Sequence, residues 1–325
     1  MADRLSGRLG LVGLGAFLVL DVALVGLALR STSAAPDLST GPSAKPRPAA
    51  EGGVSAGGAG TPSPAGTTDS APADSATGKE RVLEPTPLTI GLVAVDDSTA
   101  WRFTAGTCAD GGSTLAVSED AAQTWQPRAA PFDTTVRVRV REDGSAFAIG
   151  GDSDCEPRFR QSRDAAQTWD RPVAVPGAWH RHLDDPDVVG TEAGSSAQPC
   201  KDNGVVDLAV GDRSALALCR DGRLRSSQTG KQWSDEGSLE GALAVALAGD
   251  RTLALVSVSD CDGLAVVDTA APDAPVACAP LDLAGVKPGE VAIAGTDDSV
   301  WVAAGSATLS SSGDLAEWTG GDQQG

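Results

Sequence analysis

Five times along this chain an apolar, strand-like run meets an acidic turn and then a second apolar run. The units are LTIGLVAVDDSTAWRF around Asp97, TTVRVRVREDGSAFAIGG around Asp143, GVVDLAVGDRSALALC around Asp212, ALAVALAGDRTLALVSV around Asp250 and EVAIAGTDDSVWVAAG around Asp297. Each predicts a strand–turn–strand hairpin, because short alternating apolar runs bounded by Asp/Gly turns suit a half-buried sheet. The Asp-to-Asp steps are 46, 69, 38 and 47 residues, so the period is near forty and one step carries a surplus of about twenty. Self-similarity at that period marks a blade-type repeat, in which one small sheet buries its faces only by stacking on the next. No stretch after Leu88 sustains a helical period, so this part of the chain is all-β.

A second signature comes after the hairpin in four units and ends in tryptophan each time. Ser118-Glu-Asp120-Ala-Ala-Gln-Thr124-Trp125 and Ser162-Arg-Asp164-Ala-Ala-Gln-Thr168-Trp169 are nearly identical. Ser226-Ser-Gln-Thr-Gly230-Lys-Gln-Trp233 and Ser311-Ser-Gly-Asp-Leu-Ala-Glu-Trp318 are worn copies. The pattern resembles the Asp-box, or BNR, repeat (S-x-D-x-G-x-T-W) of sialidase-like, sortilin-like and photosystem II assembly-factor-like β-propellers. Two copies depart at the glycine (Ala122, Ala166), one at the aspartate (Gln228), and the last keeps only the outer Ser and Trp. The resemblance implies an all-β propeller over residues 88–320, with the box as the turn between the third and fourth strands of a blade. Five blades are visible and six are possible: the surplus between Trp169 and Gly204 is an inserted loop or a degenerate sixth blade, and the first and last units are candidates to share a blade for closure. The box residues read as structural: Ser and Asp oxygens satisfy turn N–H groups, Thr suits the returning strand and Trp buries a ring between layers.

Upstream of the repeat the chain changes character. Residues 1–8 form a short N-terminus with Arg4 and Arg8, and residues 9–29 (LGLVGLGAFLVLDVALVGLAL) are an apolar run broken only by Asp21, about long enough to cross a bilayer. The positive-inside rule keeps the N-terminus cytoplasmic and places the chain after Arg30 outside. An uncleaved signal-anchor is the preferred reading over a cleaved signal, whose apolar core is shorter; Asp21 reads as a tolerated carboxyl rather than an intramembrane functional group. Residues 30–87, dominated by Ala, Pro, Ser, Thr and Gly, predict a disordered linker, and residues 321–325 a short tail. Only 5 Lys against 20 Arg, with abundant Ala and Gly, points to a bacterial source.

Charge and cysteines narrow the surroundings. Of a net charge of -19, residues 1–88 hold 7 basic and 8 acidic groups, so the acid excess belongs to the repeat domain. Such a surface excludes a protein that binds nucleic acid by neutralising phosphates, and favours basic or neutral partners. Six cysteines, all in the repeat domain and predicted to face an oxidising space, imply disulfides. Cys108 and Cys155 occupy equivalent places in neighbouring units, while Cys200/Cys219 and Cys261/Cys278 each lie close within one unit; the expected pairs are Cys108–Cys155, Cys200–Cys219 and Cys261–Cys278.

The chain contains no tyrosine. Retaining sialidases use a tyrosine nucleophile, so the activity that the resemblance would suggest is excluded. Arg137, Arg139 and Arg141 alternate along one strand and read as an exposed face balancing nearby acids rather than an anion site. Trp179, His180, His182 and Asp184, in the segment WHRHLDD of the surplus, are the one constellation with metal or acid–base character; a solvated or partner-binding loop is the preferred reading. No cofactor, metal or catalytic residue is assigned. The expected function is a membrane-anchored extracytoplasmic module that binds a protein or an envelope glycan, with an assembly-factor role among the options. The alternative is a glycoside hydrolase using a carboxylate pair in an axial cleft.

Overall fold

In the computed structural model, which describes residues 83–141 and 143–322, the repeat becomes six antiparallel sheets, each built from strands consecutive in sequence. Blade 1 comprises β1 (Ile90–Ala94), β2 (Ala100–Thr104), β3 (Thr114–Ser118) and β4 (Gln126–Arg128). Blade 2 comprises β5 (Thr134–Val140), β6 (Ala146–Gly151), β7 (Arg158–Ser162) and β8 (Val173–Ala174). Blade 3 has only β9 (His180–Arg181), β10 (Val189–Gly190) and β11 (Ser196–Ala197). Blade 4 comprises β12 (Val205–Val210), β13 (Ala215–Cys219), β14 (Arg223–Ser227) and β15 (Ser234–Ser238). Blade 5 comprises β16 (Ala242–Ala248), β17 (Arg251–Val256), β18 (Leu264–Asp268) and β19 (Pro275–Ala279). Blade 6 comprises β20 (Val291–Gly295), β21 (Ser299–Ala304), β22 (Ala307–Ser312) and β23 (Thr319–Asp322). The surplus between Trp169 and Gly204 is therefore a sixth blade, three-stranded and made of two-residue strands, rather than an inserted loop.

The first strands β1, β5, β9, β12, β16 and β20 pack side by side around an axis, and β1 meets β20 to close a six-bladed β-propeller. Blades 5 and 6 form the densest part. Leu253, Ala254 and Leu255 of β17 and Val300 to Ala303 of β21 are wholly buried, because these strands carry apolar residues on both faces and are sandwiched by neighbours. Upstream the core takes in Leu88 and reaches back to Leu83, which is buried although composition assigned it to the linker. The expected 9–29 anchor, residues 30–82 and the tail residues 323–325 lie outside the described residues. Among the described residues no helix is long and apolar enough to cross a membrane.

Closure does not share a blade between the first and last units, which corrects that expectation: β20 to β23 all come from the last unit. A polar seam joins blades 1 and 6 instead. The buried Arg102 side chain of β2 donates to Ser306 O (2.7 Å), Thr308 Oγ1 (2.8 Å) and Gly305 O at the β21–β22 turn. Trp301 Nε1 and Ser299 Oγ donate to Asp96 O, while Ser310 Oγ and Thr319 Oγ1 donate to Ala121 O. Thr89 N–H adds a bond to Gly289 O at 2.8 Å. Each of these ties a blade 1 backbone or side chain to blade 6, so the seam replaces the covalent continuity that a shared blade would give.

The three disulfides are Cys108–Cys155, Cys200–Cys219 and Cys261–Cys278, the pairs expected from the repeat frame. The first joins blades 1 and 2, the second ties blade 3 to β13, and the third staples the edge of blade 5.

Candidate binding site

The six first strands enclose an axial well of about 350 Å³. Its walls at blades 1, 5 and 6 are apolar (Leu92, Val245 and Ile293 among them), and its polar groups come from blades 2, 3 and 4: Arg137, Arg139, His180, Arg181, Asp207 and Asp212. At the end where the first strands begin, Leu88 closes the floor. Its N–H donates to Val206 O (3.0 Å), and Arg181 donates to both Leu88 O (2.6 Å) and Val206 O (3.3 Å). At the opposite end lie the turns that carry the repeat aspartates, Asp97, Asp143, Asp212, Asp250 and Asp297, so the repeat itself places carboxylates around one face of the ring. Arg139 answers with an ion pair to Asp212 at 2.5 Å, both side chains open to solvent.

Asp207 is set in the wall of the well on an apolar strand, VVDLAV. Its Oδ1 accepts the Leu208 N–H (2.7 Å) and its Oδ2 the Val245 N–H (3.0 Å), so the carboxylate bridges blades 4 and 5. Burial pushes its carboxyl up, opposed by the Arg181 cation and the two amides, while burial pushes the Arg181 guanidinium down. Arg137 donates to Trp179 O (2.5 Å) and lies 5.2 Å from the centre of the Phe147 ring; burial holds its guanidinium down at about 10.

The histidine segment separates into different roles. Trp179 is wholly buried and meets Trp233 edge-on, 5.6 Å between ring centres. His180 faces the well on β9 with Nδ1 2.8 Å from Ala178 O, and burial holds it below the usual imidazole range. Its ring lies flat over Gly190, where a Cβ would come within 2.0 Å, so only glycine fits opposite it. His182 sits beyond the strand, Nδ1 2.8 Å from Asp184 Oδ1. The segment is thus the inner strand and first turn of blade 3. Among the described residues no three His, Cys, Asp or Glu side chains are grouped to hold a metal ion.

The Ser/Trp turns lie away from the well. In blade 1 Ser118 Oγ donates to Asp120 Oδ1 (2.9 Å) and accepts the Ala122 N–H (3.0 Å), while Asp120 accepts the Thr124 N–H (2.8 Å) and hydroxyl (2.6 Å). Ser162, Asp164, Ala166 and Thr168 repeat this in blade 2. Each turn's tryptophan packs toward the preceding blade: Trp125 beside Trp301, Trp169 with Nε1 on Ala129 O, Trp233 on Trp179, and Trp318 against the blade 5–6 core. Blade 4 is one residue tighter than the spacing suggested. Ser227, not Ser226, is buried there, accepting the Gly230 N–H (2.9 Å) and donating to Gln232 O (2.6 Å), whereas Ser226 turns out to Glu236. In blade 6 Ser311 donates to Glu317 O at 2.6 Å.

Three residues went unread in the sequence: Arg181, Asp207 and Arg102. The first two meet in the well, and Arg102 holds the seam. A lone charge inside an apolar strand run, as in VVDLAV and AWRFT, was the available signal.

No protein-family model and no curated protein matches this chain. Among solved structures, YCF48 bound to D1 peptide is 18% identical, with 74% of this chain and 84% of that chain covered at a TM-score of 0.37. The fucose-specific lectin from Aleuria aurantia is 11% identical over 73% and 97%, at 0.46. PorZ, a surface component of the type-IX secretion system of Porphyromonas gingivalis, is 13% identical over 74% of this chain and 33% of that chain, at 0.36. The propeller rests on the strand order of this chain, and similarity at these scores adds nothing about ligand or activity.

Proposed function

We propose that this chain is a membrane-anchored, extracytoplasmic propeller of the Asp-box type, from a bacterium, that binds a protein or an envelope glycan at the mouth of its axial well and catalyses no reaction. The observation that carries the reading is the well itself: a concave, partly apolar chamber with a few convergent charged groups, on a rigid ring whose turns are free to vary. The carboxylates in it are engaged in structure, Asp207 by two amides and Arg181, Asp212 by Arg139. The two paired Ser/Asp/Thr turns of blades 1 and 2 support the Asp-box assignment. The apolar run 9–29 and the proline-rich stretch after it support an anchor and stalk, with the C-terminal domain outside the cell.

The test is photo-crosslinking in intact cells, with a benzophenone amino acid placed in the full chain at position 212 or 250 of the mouth, or at 276 on the outer edge as control. Adducts with an extracytoplasmic protein or glycan from 212 and 250 but not from 276 are expected. Equal labelling from all three positions sinks the reading.

One observation favours hydrolysis as a second reading: the raised carboxyl of Asp207 suits a general acid. Its companion in the well, Asp212, stands five residues further along the chain, on the order of 16 Å if extended. That exceeds the roughly 5–9.5 Å that paired glycosidase carboxylates need. Release of reducing sugar from envelope polysaccharide by the full chain, abolished in Asp207→Asn, would reverse this preference.

A further inference from the structure

In a closed ring each blade is covered on both faces by its neighbours, and blade 2 breaks this rule on one side. Val138, Ala146 and Ala148 point to blade 1 and pack with Trp101, Phe103 and Leu115. Strand alternation therefore turns Arg137, Arg139, Phe147, Ile149, Phe159 and Gln161 toward blade 3. Blade 3 has three strands of two residues each and lacks a fourth, so it covers only the inner part of that face. Ile149 is wholly buried and Arg137 reaches Trp179 O, but Phe147 and Phe159 remain half-buried and Gln161 is exposed. The two phenylalanine rings lie 5.3 Å apart along this uncovered strip.

Beside them is a pocket of about 80 Å³ lined by Arg139, Arg141, Arg163, Phe147 and Gln161. Its three cations are lightly held. Arg141 interacts electrostatically with the exposed Asp143 without a direct contact, Arg163 is 4.0 Å from an exposed Asp170, and Arg139 is paired with the exposed Asp212. Solvent-exposed pairs of this kind exchange readily for a better-placed carboxylate. Blade 2, residues 134–174, carries seven arginines against seven acids, so it is neutral within a domain that is otherwise acid-rich. An anion approaching the ring meets its least repulsive surface here.

We propose that this pocket receives an acidic side chain, Asp or Glu, from a partner protein segment that lies over the uncovered strip of blade 2. The pocket has room for a carboxylate and its methylene. The surrounding acid excess repels a polyanionic glycan while admitting a single carboxylate on a neutral or basic segment. The half-buried phenylalanines beside the cations offer that segment an apolar footing. This site is separate from the floor of the axial well, although Arg139 borders both.

The test uses the detergent-solubilised full chain with isotope-labelled arginine, titrated with the blocked peptide acetyl-Gly-Glu-Gly-amide while the side-chain N–H signals are followed by NMR. Saturable shifts of Arg141 and Arg163 are expected by about 10 mM, the range of a single charge-assisted contact. Binding should weaken about tenfold in Arg141→Gln, in Arg163→Gln and with the corresponding Gln peptide. Both arginines are exposed, so the variants should melt with the parent chain. Absence of saturable shifts overturns the proposal. So does equal binding of glucuronate, which would assign the pocket to an acidic glycan, or of acetate, which would make it an adventitious ion site.

Discussion

Asp164 holds its turn through both carboxylate oxygens, and the hydroxyl and amide of Thr168 with the Ser162 hydroxyl draw its carboxyl down to about 2. The Thr124 contacts pull Asp120 the same way. A carboxyl lowered in the folded state stabilises fully above its unfolded value near 3.9 and loses that contribution as pH falls toward 2. Asp164→Asn should therefore melt below the parent at pH 7, and the gap should close by about pH 2 in paired thermal scans. The neighbouring alanines carry a separate cost. Ala121 and Ala165 sit at φ 56° and 52°, a left-handed region where a Cβ is penalised, and neither is wholly buried. Ala121→Gly and Ala165→Gly should each stabilise by about 0.5–1 kcal/mol in denaturant titrations, because relief of that clash exceeds the added chain entropy. Ala122 and Ala166, where the repeat pattern has glycine, differ because their methyls are buried. Spacing alone revealed the blade 1 and blade 2 turns. It misplaced the serine of blade 4, since a turn one residue shorter keeps its tryptophan and glycine while shifting the buried hydroxyl from 226 to 227.

Elements were legible in proportion to their length. Strands of five to seven residues such as β5, β16 and β21 give an alternating or continuous apolar run, and the five hairpins built from such strands were visible in the sequence. Blade 3 was not, because a two-residue strand has no period to display and its faces are finished by Trp179, Trp233 and the Cys200–Cys219 bridge. The seam showed in the sequence only as a lone charge inside an apolar run, AWRFT. Arg102 is buried, and desolvation holds its guanidinium down at about 10 while it donates to the β21–β22 turn. Arg102→Leu removes those bonds and leaves carbonyls of the turn unpaired. A loss of about 3 kcal/mol is expected by urea unfolding; a loss below about 1 kcal/mol would show that packing alone closes the ring. The Cys108–Cys155 bridge, spanning 47 residues between two blades, should contribute about 4 kcal/mol against about 3 for the 17-residue Cys261–Cys278 loop. Paired Cys→Ser variants of each bridge, compared by their unfolding midpoints, test that order.

At the scale of the whole ring, charge and closure oppose each other. The sequence concentrates its acid excess in the propeller, and the repeat directs part of it into the turns of one face. Among the described residues no disulfide spans blades 1 and 6: the bridge at Cys108 points the other way, toward blade 2, so the seam is where the ring can part. Mutual repulsion among exposed carboxylates favours opening, and salt screens it over a distance that shrinks from about 30 Å at 0.01 M to about 3 Å at 1 M. The buried bonds of Arg102 to carbonyls and to the Thr308 hydroxyl are shielded from that screening. Added sodium chloride should therefore weaken what pushes the blades apart while leaving intact what holds them. Melting temperature is expected to rise with ionic strength, most steeply below about 0.15 M, where the screening length is longest. The rise should shrink in a variant that neutralises the turn acids Asp97, Asp250 and Asp297 to Asn. A melting temperature that falls with salt would mean that surface ion pairs such as Arg139–Asp212 outweigh the repulsion, and that the acidic face is held together by its own charges.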